Sequence, residues 1–277
     1  MIRIKCTDPD GKETFYLLPE SAKDVTCGKV IEFQKTIDSK KPETLQAFTD
    51  LETEKEKDEY FKALDPNLFN TEWIGHYCRE LHFWGGFSPT HLGLIPVVAT
   101  DEGGADLFTL RSIVMKALTI SKPDKLKHFE LNGHTYHLPA APINMIDPTQ
   151  KDYMRGATLG QFATANELYR TFTSMQGGEC IGLLHQIALL CLREKEQLPI
   201  IPDEQAKWIT ARVEELKALD FHTAMSVGFF LALRIAQSRA AFQYSIQKAA
   251  NQKQGKSMVT TLQSEALQNV GFLQVLR

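Results

Sequence analysis

Phe129-Glu130-Leu131-Asn132-Gly133-His134-Thr135-Tyr136-His137-Leu138 is the stretch on which the fold turns. Two short runs of strand-forming residues flank Asn132-Gly133. That dipeptide tolerates the positive φ values of a type I′ turn, whose twist matches paired strands, so the segment reads as a β-hairpin. A second hairpin is expected at 2–18. Ile2-Arg3-Ile4-Lys5-Cys6 alternates apolar and polar, Asp8-Pro9-Asp10-Gly11 turns, and Thr14 to Leu18 returns. Pro19, with no N–H for a ladder, closes it.

Around the hairpins the periodicity is helical. Thr26 stands where it can cap a helix carrying Val30, Phe33 and Ile37. Residues 43–64 read as helical, with the mixed-charge run Glu52 to Glu59 as a solvated face. Thr71 is expected to cap a helix with Trp73, Ile74, Tyr77, Cys78 and Leu81 on one side. Gly85 to Gly104 breaks the pattern, and Pro96 within Leu94 to Val98 argues against a central strand there. A helix resumes over 106–120.

Beyond the second hairpin, a loop with Pro139, Pro142 and Pro148 leads to Thr158, which forms a capping box with Gln161. From Gly177 onward no strand is expected. Helices are assigned to 179–196, 203–219, 221–250 (with a break near Gly228) and 260–276. The fold class is therefore α+β, predominantly α-helical, with two small β-hairpin-plus-helix units and an all-helical C-terminal half. The expected domains are 1–125 and 126–277. Tyr16, Leu18, Pro19, Thr26 and Gly28 in the first unit echo Tyr136, Leu138, Pro139, Thr158 and Gly160 in the second, which suggests an internal duplication.

The 277 residues are 43% hydrophobic and 23% charged, with a net charge of -3, so no whole-chain attraction to nucleic acid or anionic lipid is indicated. Cys6, Cys27, Cys78, Cys180 and Cys191 are scattered without a C-x-x-C pair, which fits reduced thiols in a cytoplasm. The N-terminal residues turn polar too early for a signal peptide. The apolar runs 181–192 and 221–235 fall short of the roughly 20 residues that cross a bilayer.

A search for chemistry assigns no catalytic, cofactor-binding or metal-ligating residue. His134 and His137, three apart on a strand, face opposite ways. The pairs Cys78/His82 and Glu72/His76 have helical i,i+4 spacing, but neither has a second pair to complete a metal site. His185 lies in an apolar helix between Cys180 and Cys191, where a thiol is usually an inert small hydrophobe. The Gly-Gly pairs at 85, 103 and 177 lack the spacing of phosphate loops. The candidate contact element is aromatic. Phe83, Trp84 and Phe87 straddle Gly85-Gly86 in an expected loop, and an exposed apolar loop is suited to protein contact.

Residues 17–35, Leu-Leu-Pro-Glu-Ser-Ala-Lys-Asp-Val-Thr-Cys-Gly-Lys-Val-Ile-Glu-Phe-Gln-Lys, resemble a segment of uncharacterised tailed-phage proteins, particularly from phages of Bacteroidetes-type hosts. Those proteins sit among tail and virion-morphogenesis products. Tyr136 with Thr158-Leu159-Gly160-Gln161-Phe162 resembles their mid-chain segment, and Val227-Gly228-Phe229-Phe230-Leu231 a later helix. The resemblance implies a non-catalytic structural or assembly protein of a phage, or of a phage-derived injection machine, in the tail, baseplate or neck. Its partners would be other phage structural or assembly proteins or further copies of itself, in the host cytoplasm or built into the virion. Two alternatives stand beside it: a transient tail-assembly chaperone, and an intracellular enzyme whose site is assembled from scattered residues.

Overall fold

In the computed structural model the described residues are 1–98, 105–120, 122–139, 159–176, 178–193, 196, 202–233 and 243. They form an α+β fold, mainly helical, with one two-stranded and one three-stranded antiparallel sheet. The chain divides into two units, 1–120 and 121–277.

The first unit opens with the expected hairpin, β1 (Ile2–Thr7) paired with β2 (Glu13–Leu18). Its turn is held by Asp8, whose Oδ1 accepts from the N–H groups of Asp10 at 3.1 Å and Lys12 at 2.8 Å. Gly11 supplies the left-handed residue at φ +81°. Strand alternation turns Ile2, Ile4, Tyr16 and Leu18 inward and leaves Arg3, Lys5, Phe15 and Leu17 on the outer face.

Helix α1 (Cys27–Thr36) starts where Thr26 Oγ1 accepts from Lys29 N–H at 3.3 Å, and it buries Val30 and Phe33. The region 43–64 is two helices rather than one, α2 (Glu43–Thr49) and α3 (Glu54–Ala63). A Thr53–Glu56 capping box begins α3, which buries no residue, in keeping with its mixed charge.

The next helix begins earlier than expected. Asp65 caps a single turn, α4 (Pro66–Leu68), with Pro66 at the first helical position. The chain then passes through a π-helical turn, Phe69–Trp73, into α5 (Ile74–Gly85). Thr71 is therefore inside the helix, and its hydroxyl donates to the Asn67 carbonyl at 2.7 Å instead of capping. Phe69 and Trp73 pack with Phe48 and Phe61 at ring separations of 5.1–6.2 Å. Ser88 and Pro89 start a further short helix, α6 (Pro89–Leu94), within the segment expected only as a break. Helix α7 (Leu107–Leu118), capped by Asp106, buries Leu107, Leu110, Val114 and Ala117 and packs on α5.

The second unit holds the expected Asn132-Gly133 hairpin, β3 (His128–Leu131) and β4 (His134–His137). Asn132 and Gly133 both have positive φ, 51° and 74°, as a type I′ turn requires. Phe129 and Tyr136 face each other across the strands and stack at 4.9 Å. Helices α8 (Leu159–Gln176) and α9 (Glu179–Leu190) pack side by side. Their approach depends on Gly182, where an added Cβ would lie 2.6 Å from the Tyr169 carbonyl oxygen.

Helix α9 stops at Leu190, short of 196, and a two-residue strand β5 (Leu192–Arg193) joins the edge of β4. This strand is an addition to the helical reading of the C-terminal half. Arg193 fixes it in place, because its guanidinium donates to Tyr136 Oη at 2.8 Å while its N–H donates to Glu196 at 2.9 Å. Then come α10 (Pro202–Leu216) and α11, helical over 221–233. Helix α11 runs through Gly228 without a break. A Cβ there would lie 2.6 Å from Leu183 Cδ1, so the glycine serves packing rather than interruption.

Thr158, Pro142, Pro148 and the helix expected at 260–276 lie outside the described residues. Of the proposed duplication, the two hairpins with a buried inward tyrosine and the Thr26 cap are described; the Thr158 cap is not. Among the described residues, no helix is long and apolar enough to cross a membrane.

Candidate functional site

The aromatic element expected as an exposed loop is part of the interior. Trp84 is 2% exposed and Phe87 is fully buried, while Phe83 is half-buried. Gly85-Gly86 is the C-terminal cap of α5, not a free loop. Gly86 takes the left-handed conformation at φ +72°, and its N–H donates to the His82 carbonyl at 2.8 Å. Phe87 then turns inward and stacks on Tyr16 at 4.3 Å. Phe83 and Trp84 pack against Phe33 at 5.5 and 5.0 Å, and Lys29 Nζ donates to the Trp84 carbonyl at 3.3 Å. The correction follows from burial, since large aromatic rings beside a helix end gain more by folding onto β2 and α1 than by facing water.

Two polar clusters sit inside the first unit. Tyr16 Oη and Ser88 Oγ lie 2.7 and 2.9 Å from Nδ1 of His91, and Ser88 N–H donates to Tyr16 Oη at 3.2 Å. This group ties β2 to the start of α6. In the other, Arg111 Nε donates to Glu80 Oε2 at 2.5 Å, and His76 Nε2 lies 3.3 Å from Glu80 Oε1. His76 and Glu80 are buried, and Arg111 lies over the Tyr77 ring at 4.3 Å. Burial by itself would push the Glu80 carboxyl up. His76 and Arg111 outweigh it and hold the carboxyl below its ordinary value. The cluster therefore clamps α7 to α5 by charge.

A cleft of about 580 Å³ opens beside α5 and α6. Its walls are largely apolar, from Ile74, Leu92, Ile95, Val97 and Leu107, with Gly93 in the lining. Cys78, Arg79 and His82 supply the polar edge. Their spacing on α5 explains the grouping, because positions three and four apart share one helical side. His82 Nδ1 faces the Phe87 carbonyl at 2.8 Å, and a carbonyl only accepts, so that nitrogen carries the proton. Burial pushes the Cys78 thiol up, with Arg79 opposing, so the sulfur stays protonated rather than nucleophilic.

The outer face of the β1–β2 hairpin is the most apolar exposed strand surface of this unit. Phe15 and Leu17 are 45% and 50% exposed. The Arg3 guanidinium lies 3.6 Å from the centre of the Phe15 ring, and Lys5 pairs with Glu13 at 2.5 Å. Among the described residues neither outer edge of this hairpin pairs with a further strand.

In the second unit the singled-out residues take structural places. His185 stacks on Phe172 at 3.5 Å and shares a hydrogen bond with the Ile181 carbonyl at 2.8 Å, and burial lowers its affinity for a proton. Cys180 and Cys191 are buried, and burial pushes the Cys191 thiol far up. His134 and His137 are exposed; His137 lies across from His128, ring centres 6.3 Å apart. Arg193 and Arg212 pair with Glu215 and Glu196 around Tyr136, joining the three-stranded sheet to α10. Among the described residues no group of three or more His, Cys, Asp or Glu could hold a metal ion.

The cleft is the feature that the sequence did not disclose. Its only local trace was the Cys78/His82 spacing, which on its own suggested a metal pair lacking further ligands. No protein-family model, curated protein or solved structure matches the chain.

Proposed function

We propose that this chain is a non-catalytic structural or assembly protein of a tailed phage or a phage-derived injection machine, acting through protein–protein contacts in the tail, baseplate or neck. The observation that carries the reading is the exposed outer face of the β1–β2 hairpin. Phe15 and Leu17 spend apolar surface on solvent, and among the described residues no further strand pairs with the hairpin edges. Strand addition uses such edges, with main-chain hydrogen bonds for affinity and alternate side chains for specificity. The three resembling segments supply the phage context. The polar clusters of the first unit support a structural role, since each bridges elements rather than lining the cleft.

The test is incorporation. Phe15→Lys and Leu17→Glu, on an exposed face, should leave the melting temperature within a few degrees while removing the chain from purified particles. Mass spectrometry of mature particles reads copy number. Defined copy number that falls in both variants supports a built-in component. Presence in assembly intermediates alone indicates the transient chaperone, and unchanged incorporation of both variants sinks the hairpin reading.

A further inference from the structure

The cleft beside α5 and α6 has a division of labour that packing does not require. Here the walls from Ile74, Leu92, Ile95 and Val97 are apolar, yet the edge carries Arg79, and among the described residues no carboxylate forms an ion pair with it. Arg79 Nη1 lies 3.7 Å from where a Gly75 Cβ would be, so the guanidinium lies back along its own helix beside the cleft. Next to it, His82 has its Nδ1 proton committed to Phe87, which leaves Nε2 as an acceptor in the neutral ring. The volume, about 580 Å³, falls inside the roughly 300–1,000 Å³ range of small-molecule sites, which are mostly apolar with a few placed polar groups.

We infer that this cleft binds a small amphipathic anion, its apolar body against Ile74, Leu92, Ile95 and Val97 and its carboxylate-type head on Arg79. Arg79 is exposed at the cleft edge, and its guanidinium offers a planar fork of N–H donors that matches a carboxylate. Cys78, half-buried with its thiol protonated, contributes contact and no chemistry. The inference is independent of the assembly reading and stands or falls separately.

Decanoate and its uncharged counterpart decanol are the probes, measured by titration calorimetry on the full chain. Decanoate is expected to bind more tightly than decanol. Arg79→Gln should weaken decanoate about tenfold and leave decanol within about twofold, the loss expected for one charge-assisted contact. Gly93 gives a second handle, because a Cβ there meets nothing within 4 Å. Gly93→Leu, at a lining position, should narrow the cleft without a clash and weaken both ligands about tenfold. Peptide mapping after thiol labelling at alkaline pH should show Cys78 labelled more slowly with decanoate in the wild type and at a rate independent of decanoate in Gly93→Leu, with the circular dichroism of both variants unchanged. No decanoate binding, equal weakening of both ligands by Arg79→Gln, or undiminished binding to a folded Gly93→Leu would each overturn the inference.

Discussion

Glu80→Gln isolates the charge clamp between α5 and α7. Glu80 is 2% exposed, and its carboxylate receives Arg111 Nε at 2.5 Å and Arg111 Nη2 at 3.4 Å, with His76 Nε2 at 3.3 Å. Removing one partner of a fully buried pair costs about 3–5 kcal/mol, because the other charge is left uncompensated. Two features reduce that figure. The Arg111 side chain is 23% exposed and keeps the Tyr77 ring, and glutamine retains one carbonyl oxygen as an acceptor. A loss of about 2–3 kcal/mol remains, equivalent to a fall of roughly 8–12 °C in the melting midpoint for a unit of this size.

Denaturant titration followed by tryptophan fluorescence gives the free energy, and a cycle with Arg111→Met gives the coupling, expected above about 1 kcal/mol. The pH dependence carries a sign. The folded carboxyl is held below its ordinary value, so its stabilising contribution is complete above that value. It is lost as pH falls through the depressed one. Wild type should therefore lose more stability than Glu80→Gln on acidification across this window. A Glu80→Gln loss under about 0.5 kcal/mol, or no coupling in the cycle, would refute the clamp.

Other perturbations test the packing. Gly182→Ala places a methyl 2.3 Å from Thr173 Oγ1 and 2.6 Å from the Tyr169 carbonyl oxygen, and should destabilise the second unit by about 1–3 kcal/mol in chemical denaturation. Phe87→Ala removes a fully buried ring stacked on Tyr16 and should cost about 3–5 kcal/mol, whereas Phe15→Ala on the exposed face should stay within about 0.5 kcal/mol. Burial raises the Glu179 carboxyl, so its contribution is present at low pH and lost as pH rises through the raised value. Glu179→Gln should therefore be at least as stable as wild type at pH 7, with the difference vanishing in acid melts.

The parts of this fold that the sequence discloses are those fixed by neighbours a few residues apart. Asn132-Gly133 dictates its turn, Thr26 its helix start, and the spacing of Leu107, Leu110 and Val114 its buried face. The misread parts depend on distant chain. Gly85-Gly86 looks alike as a loop or as a helix cap, and what decides is Leu18 and Tyr16 of β2, against which Gly85 and Phe87 pack. Strand β5 is too short to carry a period, and its pairing is set by Arg193 reaching Tyr136. Thr71 had the chemistry of a cap, but Asp65-Pro66 upstream satisfied the helix start first. The cleft draws on α5, α6, the start of α7 and the segment between α6 and α7, so no short window of sequence contains it.

The π-helical turn at Phe69–Trp73 sets the phase between two parts of the first unit. Such a turn is one residue inserted into an α-helix, and it rotates everything upstream of it relative to everything downstream by about a quarter-turn or more. The aromatic nest around Phe48 and Phe61 is built on the upstream side, and the α5 face bearing Cys78, Arg79 and His82 on the downstream side. Loss of the exposed Asn70 would straighten the helix and set these two halves out of phase. The chain should therefore tolerate single-residue length changes in the exposed α3 and its flanks far better than at 69–73, where the count of residues sets the phase between the two halves.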